Sequence, residues 1–226
     1  MTRKPTRKSK EQPPRRQPEA RNRRRSRAPH AGAPTGLVVL FNKPYGVVCQ
    51  FTGDGSHPTL KQYLPQPDIY PAGRLDADSE GLVVLTNHGV QQHRISDPRH
   101  KLIKTYWVEV EGIASEAALD ALRAGVQLKD YKTRAAEVRP VAPPAWLWPR
   151  VPPVRFRRNI PTSWLELRIT EGRNRQVRHM TAAVGLPTLR LIRYQVGPWS
   201  LDGLALGEWR NVDAQAGVNQ PHRAAL

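Results

Sequence analysis

Residues 73–81 read Gly-Arg-Leu-Asp-Ala-Asp-Ser-Glu-Gly, so nine positions carry Arg74 and the three carboxylates Asp76, Asp78 and Glu80 between two glycines. Glycine at both ends lets the backbone take positive φ or approach a ligand closely, and loops at strand ends are where sites are usually built. Such a set can ligate a hard cation, or it can offer a carboxylate to an electron-poor carbon as nucleophile or as a stabilising charge. The spacing Asp76, Asp78, Glu80, Gly81 matches the first half of an EF-hand loop. The twelfth position is Asn87, where a bidentate glutamate is required, and the flanks read as strands instead of helices, so calcium is set aside and no metal is expected. A polar turn whose aspartates cap neighbouring amides is the plain alternative.

A second group lies about 100 residues on. Residues 171–178, Glu-Gly-Arg-Asn-Arg-Gln-Val-Arg, open a helix expected from about Asn174, with Val177, Met180 and Val184 as its buried stripe and Gly185 and Pro187 ending it. Arg173, Arg175 and Arg178 crowd its first turns, where the helix dipole is already positive and each like charge costs a few tenths to about 1 kcal/mol. That placement makes sense if a phosphate or carboxylate completes the site. Tyr106 falls on the same face of a strand as Val108 and Val110, where core packing with a satisfied hydroxyl is one reading and a place in a site is the other.

The elements that must position these groups are short. Residues 37–42 form an apolar strand ending at the turn Lys43-Pro44-Tyr45-Gly46, and a further strand is expected over 47–51, holding the lone Cys49 as a small buried hydrophobe. One helical turn falls at 60–64, a strand at 82–86, a short helix at 90–95, and a long strand over 101–112. Ser115 caps an amphipathic helix closed by Gly125. In 163–170 Leu165, Leu167 and Ile169 alternate inward with Trp164, Glu166 and Arg168 outward, and a last strand covers 189–194. Between them, the loop Pro143-Pro144-Ala145-Trp146-Leu147-Trp148-Pro149-Arg150 and the run Arg155-Phe156-Arg157-Arg158 interleave rings with arginine. This suits nucleic acid, or it gives tryptophans that cover a sheet edge. The fold class is α+β, a mixed and mostly antiparallel sheet with a few short helices and a basic cleft assembled from distant segments.

The 226 residues carry a formal net charge of +17, and residues 1–35 hold 12 Lys and Arg against 2 Glu, leaving +7 for the remainder. Such a balance calls for an anionic partner. The first 35 residues are too poor in apolar side chains to form a core and are expected to be a disordered basic tether for phosphates, as residues 214–226 are expected to be a second disordered tail. No secretory signal or membrane-length apolar run is present, and one cysteine excludes an internal disulfide, so a cytoplasmic protein with no membrane partner is expected.

Together, Asn42-Lys43-Pro44, Gly73-Arg74-Leu75-Asp76, Lys104-Thr105-Tyr106 and residues 171–178 resemble the RsuA branch of the pseudouridine synthases, over about residues 37–210. Residues 144–150, 160–165 and 187–194 look closest to members of that branch acting on the large ribosomal subunit. The resemblance implies one catalytic domain over 36–213 with no S4 RNA-binding domain, working as a monomer without a cofactor on 23S rRNA or a large-subunit precursor. It implies that a uridine loses its N1–C1′ bond and regains C5–C1′, with Asp76 as the catalytic aspartate and Arg178 as its basic partner. Tyr106 would pack against the target base and assist removal of the C5 proton. Arg74 would fill the gap left by the extruded nucleotide, and Arg173, Asn174, Arg175 and Gln176 would meet the flanking RNA. Asp78 and Glu80 are left to loop structure. A basic ribosome-associated protein without chemistry is the alternative.

Overall fold

A computed structural model describes residues 36–100, 102–155 and 157–213; the two expected tails lie outside the described residues. Strand β1 (Leu37–Lys43) lies between two antiparallel neighbours and is buried on both faces, Val39 and Phe41 in one apolar cluster and Val38 and Leu40 in the other. An uninterrupted apolar run is what that position demands. A 3-10 turn at Leu60–Gln62, the short β2 (Tyr70–Pro71) and β3 (Glu80–Thr86) follow. Helix α1 (Gly89–Ser96) leads into β4 (Lys104–Glu111) and α2 (Glu116–Ala124). After β5 (Glu137–Val141) and β6 (Thr162–Ile169) come α3 (Gln176–Ala183), β7 (Thr188–Val196), the two-residue β8 (Trp199–Ser200) and β9 (Trp209–Asp213).

The strands form a single sheet in the order β5-β6-β4-β7-β3-β1-β9, with β2 on β3 and β8 on β7. Every pairing is antiparallel except β3 with β7, which meet in parallel at Glu80↔Ile192 and Gly81↔Arg193. This seam joins two antiparallel halves, and it requires glycine. Gly81 sits at φ +102°, and a Cβ there would lie 2.4 Å from the Arg193 carbonyl oxygen. The loop rich in carboxylates feeds directly into the seam.

One face of the sheet buries Val83, Val108, Val110, Leu165 and Leu167 against Leu119 and Leu122 of α2 and Val177 and Met180 of α3. Each such side chain contributes about 1.5–3 kcal/mol on burial. Helix α2 begins where Ser115 Oγ accepts the Ala118 amide at 3.3 Å and ends at Gly125, φ +83°. The other face packs Val38, Leu82, Val84, Trp164 and Ile192, with Leu147 and Trp148 of the 143–150 loop laid over it. Trp164, expected to point outward to solvent, is therefore buried: its face of the sheet is covered too.

Residues 47–51 are not a strand. Val48 makes one bridge, to Thr59, the Val48 amide is taken by the Pro58 carbonyl, and the Gln50 amide turns back to the Val48 carbonyl. The apolar pattern there serves burial of Val47 and Cys49 under a turn.

Candidate active site

Five contacts anchor the backbone around Asp76. Arg193 of β7, 3% exposed, donates Nη2 to the Gly73 carbonyl at 2.9 Å, Nη1 to the Arg74 carbonyl at 3.4 Å and Nε to the Leu82 carbonyl at 2.8 Å. The Leu75 amide donates to Cys49 Sγ at 3.3 Å, and the Ala77 carbonyl accepts the Gly46 amide at 2.7 Å. That second anchor is itself held, because Lys43 donates Nζ to the Pro44 and Val47 carbonyls at 2.9 and 2.8 Å. Burial lowers the Lys43 amine to about 8, with nearby acidic groups opposing. Side chains from 26 to 120 residues away thus clamp the loop on both sides of Asp76, which is left half-exposed.

Asp76 opens onto a cleft of about 250 Å³. Tyr106 lies in its wall while packing in the core at 6% exposure, so its two sequence readings coincide in one side chain. Arg74, Arg173, Asn174 and Arg175 are exposed around the cleft, and Arg173 stacks over Tyr131 with 4.0 Å from guanidinium carbon to ring centre. Gln176 also lines it but is 2% exposed, its amide donating to Glu171 and its oxygen accepting the Arg173 amide at 2.9 Å. That side chain organises the approach to α3 and does not reach outward.

The arginines at the start of α3 meet an anion belonging to the protein. Arg175, held at φ +50°, grips Asp78 with Nη1 and Nη2 at 3.1 and 2.8 Å and brings Nη1 within 3.5 Å of Asp76 Oδ2. Arg178 donates Nη2 to the Asp78 carbonyl at 2.7 Å, and its Nε stands 3.5 Å from Asp78 Oδ2. The guanidinium beside Asp76 is therefore that of Arg175, while Arg178 supports the loop two residues further on. Burial pushes the Asp78 carboxyl up, but the Arg175 hydrogen bonds and the Arg178 and Arg175 charges outweigh it and hold it below the usual range.

Asp78 and Glu80, left to loop structure by sequence, hold the site in place. Glu80 is 1% exposed and receives Arg190 Nε and Nη2, each at 2.9 Å, together with Trp148 Nε1 at 2.8 Å. Trp146 stacks on Tyr194 at 5.3 Å between ring centres, so the tryptophan loop covers the sheet. Sequence reasoning also passed over Arg193 and Lys104 as cleft groups, although Lys104 lay in the Lys104-Thr105-Tyr106 motif and Arg193 in the strand expected over 189–194. Outside the cleft, His93, Asp97 and His100 bring potential metal ligands within 4.8 Å of one another, with Asp97 Oδ2 already engaged by Arg99 at 2.6 Å.

A clamped aspartate at the parallel seam of a nine-stranded mixed sheet thus shares one cleft with a tyrosine and a basic helix start. The family model described as RNA pseudouridylate synthase matches residues 37–183, and the chain belongs to that family. It is 60% identical over 171 residues to the ribosomal large subunit pseudouridine synthase E of Xanthomonas axonopodis pv. citri (strain 306), covering 75% of this chain and 90% of that protein. It is 37% identical to the ribosomal small subunit pseudouridine synthase A of Escherichia coli (strain K12), covering 76% and 68%. A crystal structure of a pseudouridylate synthase superposes with a TM-score of 0.65 at 30% identity, over 80% of this chain and 71% of that one. No described helix is long and apolar enough to cross a membrane.

Proposed function

We propose that this pseudouridine synthase isomerises one uridine of 23S rRNA, in the large ribosomal subunit or its precursor, acting as a cytoplasmic monomer with Asp76 as the catalytic nucleophile. The observation that carries the assignment is the clamped loop: Asp76 alone of the three loop carboxylates turns a half-exposed oxygen to the cleft without a bidentate partner. Asp78 and Glu80 are each gripped by an arginine fork and are not free to react.

The target base must leave its stack to bring C1′ and C5 to one carboxylate. The N1–C1′ bond breaks with its electron pair passing to N1, and Asp76 meets the electron demand at the reacting centre by bonding to it or by its charge. The freed base turns against Tyr106, C5 bonds to C1′, and C5 gives up its proton while N1 gains one. Arg175 stands beside Asp76, and Arg178 holds the loop that carries it. Arg74, Arg173 and Asn174 stand at the exposed rim where the flanking phosphates pass, and Arg74 fills the space vacated by the nucleotide.

The likeness to large-subunit synthases supports 23S rRNA as substrate. Asp76→Asn should abolish pseudouridine formation while rRNA affinity stays nearly unchanged. Pseudouridine surviving in that variant refutes the nucleophile. Mapping pseudouridine in 23S rRNA from a strain lacking the protein names the nucleotide, and an unaltered map removes the substrate.

A further inference from the structure

The reaction needs a group that accepts the proton from C5, whose removal the family resemblance has Tyr106 assist, and that supplies one to N1; Tyr106 lines the cleft, and the clamped aspartate is engaged elsewhere while it serves the sugar or base. Lys104, the first residue of β4, projects from the same face of the strand as Tyr106, since the pairing of β4 with β6 runs unbroken from Lys104↔Ile169 to Tyr106↔Leu167. It lines the cleft and is 6% exposed. Its Nζ makes one hydrogen bond among the described residues, to the Leu102 carbonyl at 3.3 Å, which leaves two of three donor positions unused. Gly172 opposite has no side chain to cover it: a Cβ there would touch Cε at 3.7 Å and Nζ at 3.9 Å.

The ionisable neighbours in the same cleft are Arg74 and Asp76 on the loop, Tyr106 on β4, Arg173 and Arg175 before α3, and Arg193 on β7. Cations outnumber the single carboxylate, and no acid holds Lys104 in its charged form. Burial, with the Arg193 charge adding to it, lowers the amine to about 8. An amine in that range exchanges protons readily near neutral pH, whereas an ordinary lysine is locked in its charged form.

We propose that Lys104 is a further catalytic residue, whose amine accepts the proton lost by C5 of the target base and returns it to N1. The step balances within the substrate. After the N1–C1′ pair has passed to N1 and C5 has bonded to C1′, the C5–H pair restores the ring double bond as the proton moves to Nζ. The resulting ammonium then gives that proton to N1, and the enzyme is unchanged. This inference rests on the function proposed above and assigns its proton transfers to a named atom.

The test is single-turnover isomerisation of transcribed 23S rRNA carrying tritium at uridine C5, followed by tritium release between pH 6 and 9. The wild-type rate should climb about tenfold per pH unit and level off above about 8. Lys104→Met and Lys104→Arg should each lose about a hundredfold or more in rate, with flat pH profiles and rRNA affinity within about threefold of wild type. Met removes a desolvated charge and is expected to fold, which a thermal melt checks. A wild-type profile flat between pH 6 and 8 overturns the proposal whether or not the variants fold. So does Lys104→Arg turning over within about threefold of wild type, since a permanent cation would then suffice. Asp76→Asn is run alongside: if it loses activity and the Lys104 variants do not, only the proton carrier is wrong.

Discussion

Removing either partner of the Glu80–Arg190 pair should be among the most damaging single changes in the protein. Both side chains are almost wholly buried, at 2% and 5% exposure, and two hydrogen bonds of 2.9 Å join them. The same carboxylate accepts the Trp148 indole, and Arg190 Nη2 also donates to the Trp148 carbonyl at 3.0 Å. Among the described residues, Glu80→Met leaves a buried guanidinium hydrogen-bonded only to the Trp148 carbonyl, and Arg190→Met leaves a buried carboxylate hydrogen-bonded only to the Trp148 indole. Stripping one charge from such a pair costs about 3–5 kcal/mol. For a domain of this size each kcal/mol moves the melting temperature by about 2–4 °C, so each single variant should melt roughly 6–20 °C lower. The double variant Glu80→Met/Arg190→Met should cost less than either single change, because no charge is then stranded. Urea unfolding of all four proteins gives the coupling, and tryptophan fluorescence reports whether the 143–150 loop lifts from the sheet. If each single variant lost less than about 1 kcal/mol, or the two losses simply added, the pair would not be the fastening described here.

Gly81→Ala should fail to give folded protein or melt far below wild type, since its Cβ has no room against the Arg193 carbonyl and its φ is positive; a normal melt would refute the seam. Asp78→Asn should release Arg175 and slow turnover by about tenfold or more through misplacement of Asp76, at a stability cost below about 1 kcal/mol because the pair is part-exposed. Its folded carboxyl titrates below the ordinary 3.8, so its stabilisation is complete above about pH 5 and lost only as pH falls through the lowered value. Melting curves of wild type and variant should therefore converge in acid and differ at neutrality. Lys43 runs the other way: its folded amine near 8 lies below the ordinary 10.5, so the unfolded chain binds more protons between them and stability rises with pH across that window. Lys104 adds to the same rise, so Lys43→Met should lessen it in urea titrations, and an unchanged slope would remove Lys43 as a source.

What the chain's own order of residues determined was everything that repeats or caps locally. The alternation in β6, the Ser115 cap and Gly125 stop of α2 and the apolar stripe of α3 were all legible, because each depends on neighbours within a few positions. Residues 73–81 and 171–178 stood out by type and spacing, but the choice of Asp76, Tyr106 and Arg178 among their neighbours came only from the family pattern. Residues 47–51 misled because an apolar run looks alike whether its amides join a ladder or a turn. Tertiary structure alone decided which arginine faces which acid: Arg175 beside Asp76, Arg178 beneath Asp78, Arg190 on Glu80 and Arg193 under the loop. These partners are 99 to 120 residues apart, and their pairing follows from the parallel seam and the placement of α3. Charge at a position is a local property, but its partner, its burial and hence its proton affinity are set by the register in which distant strands meet.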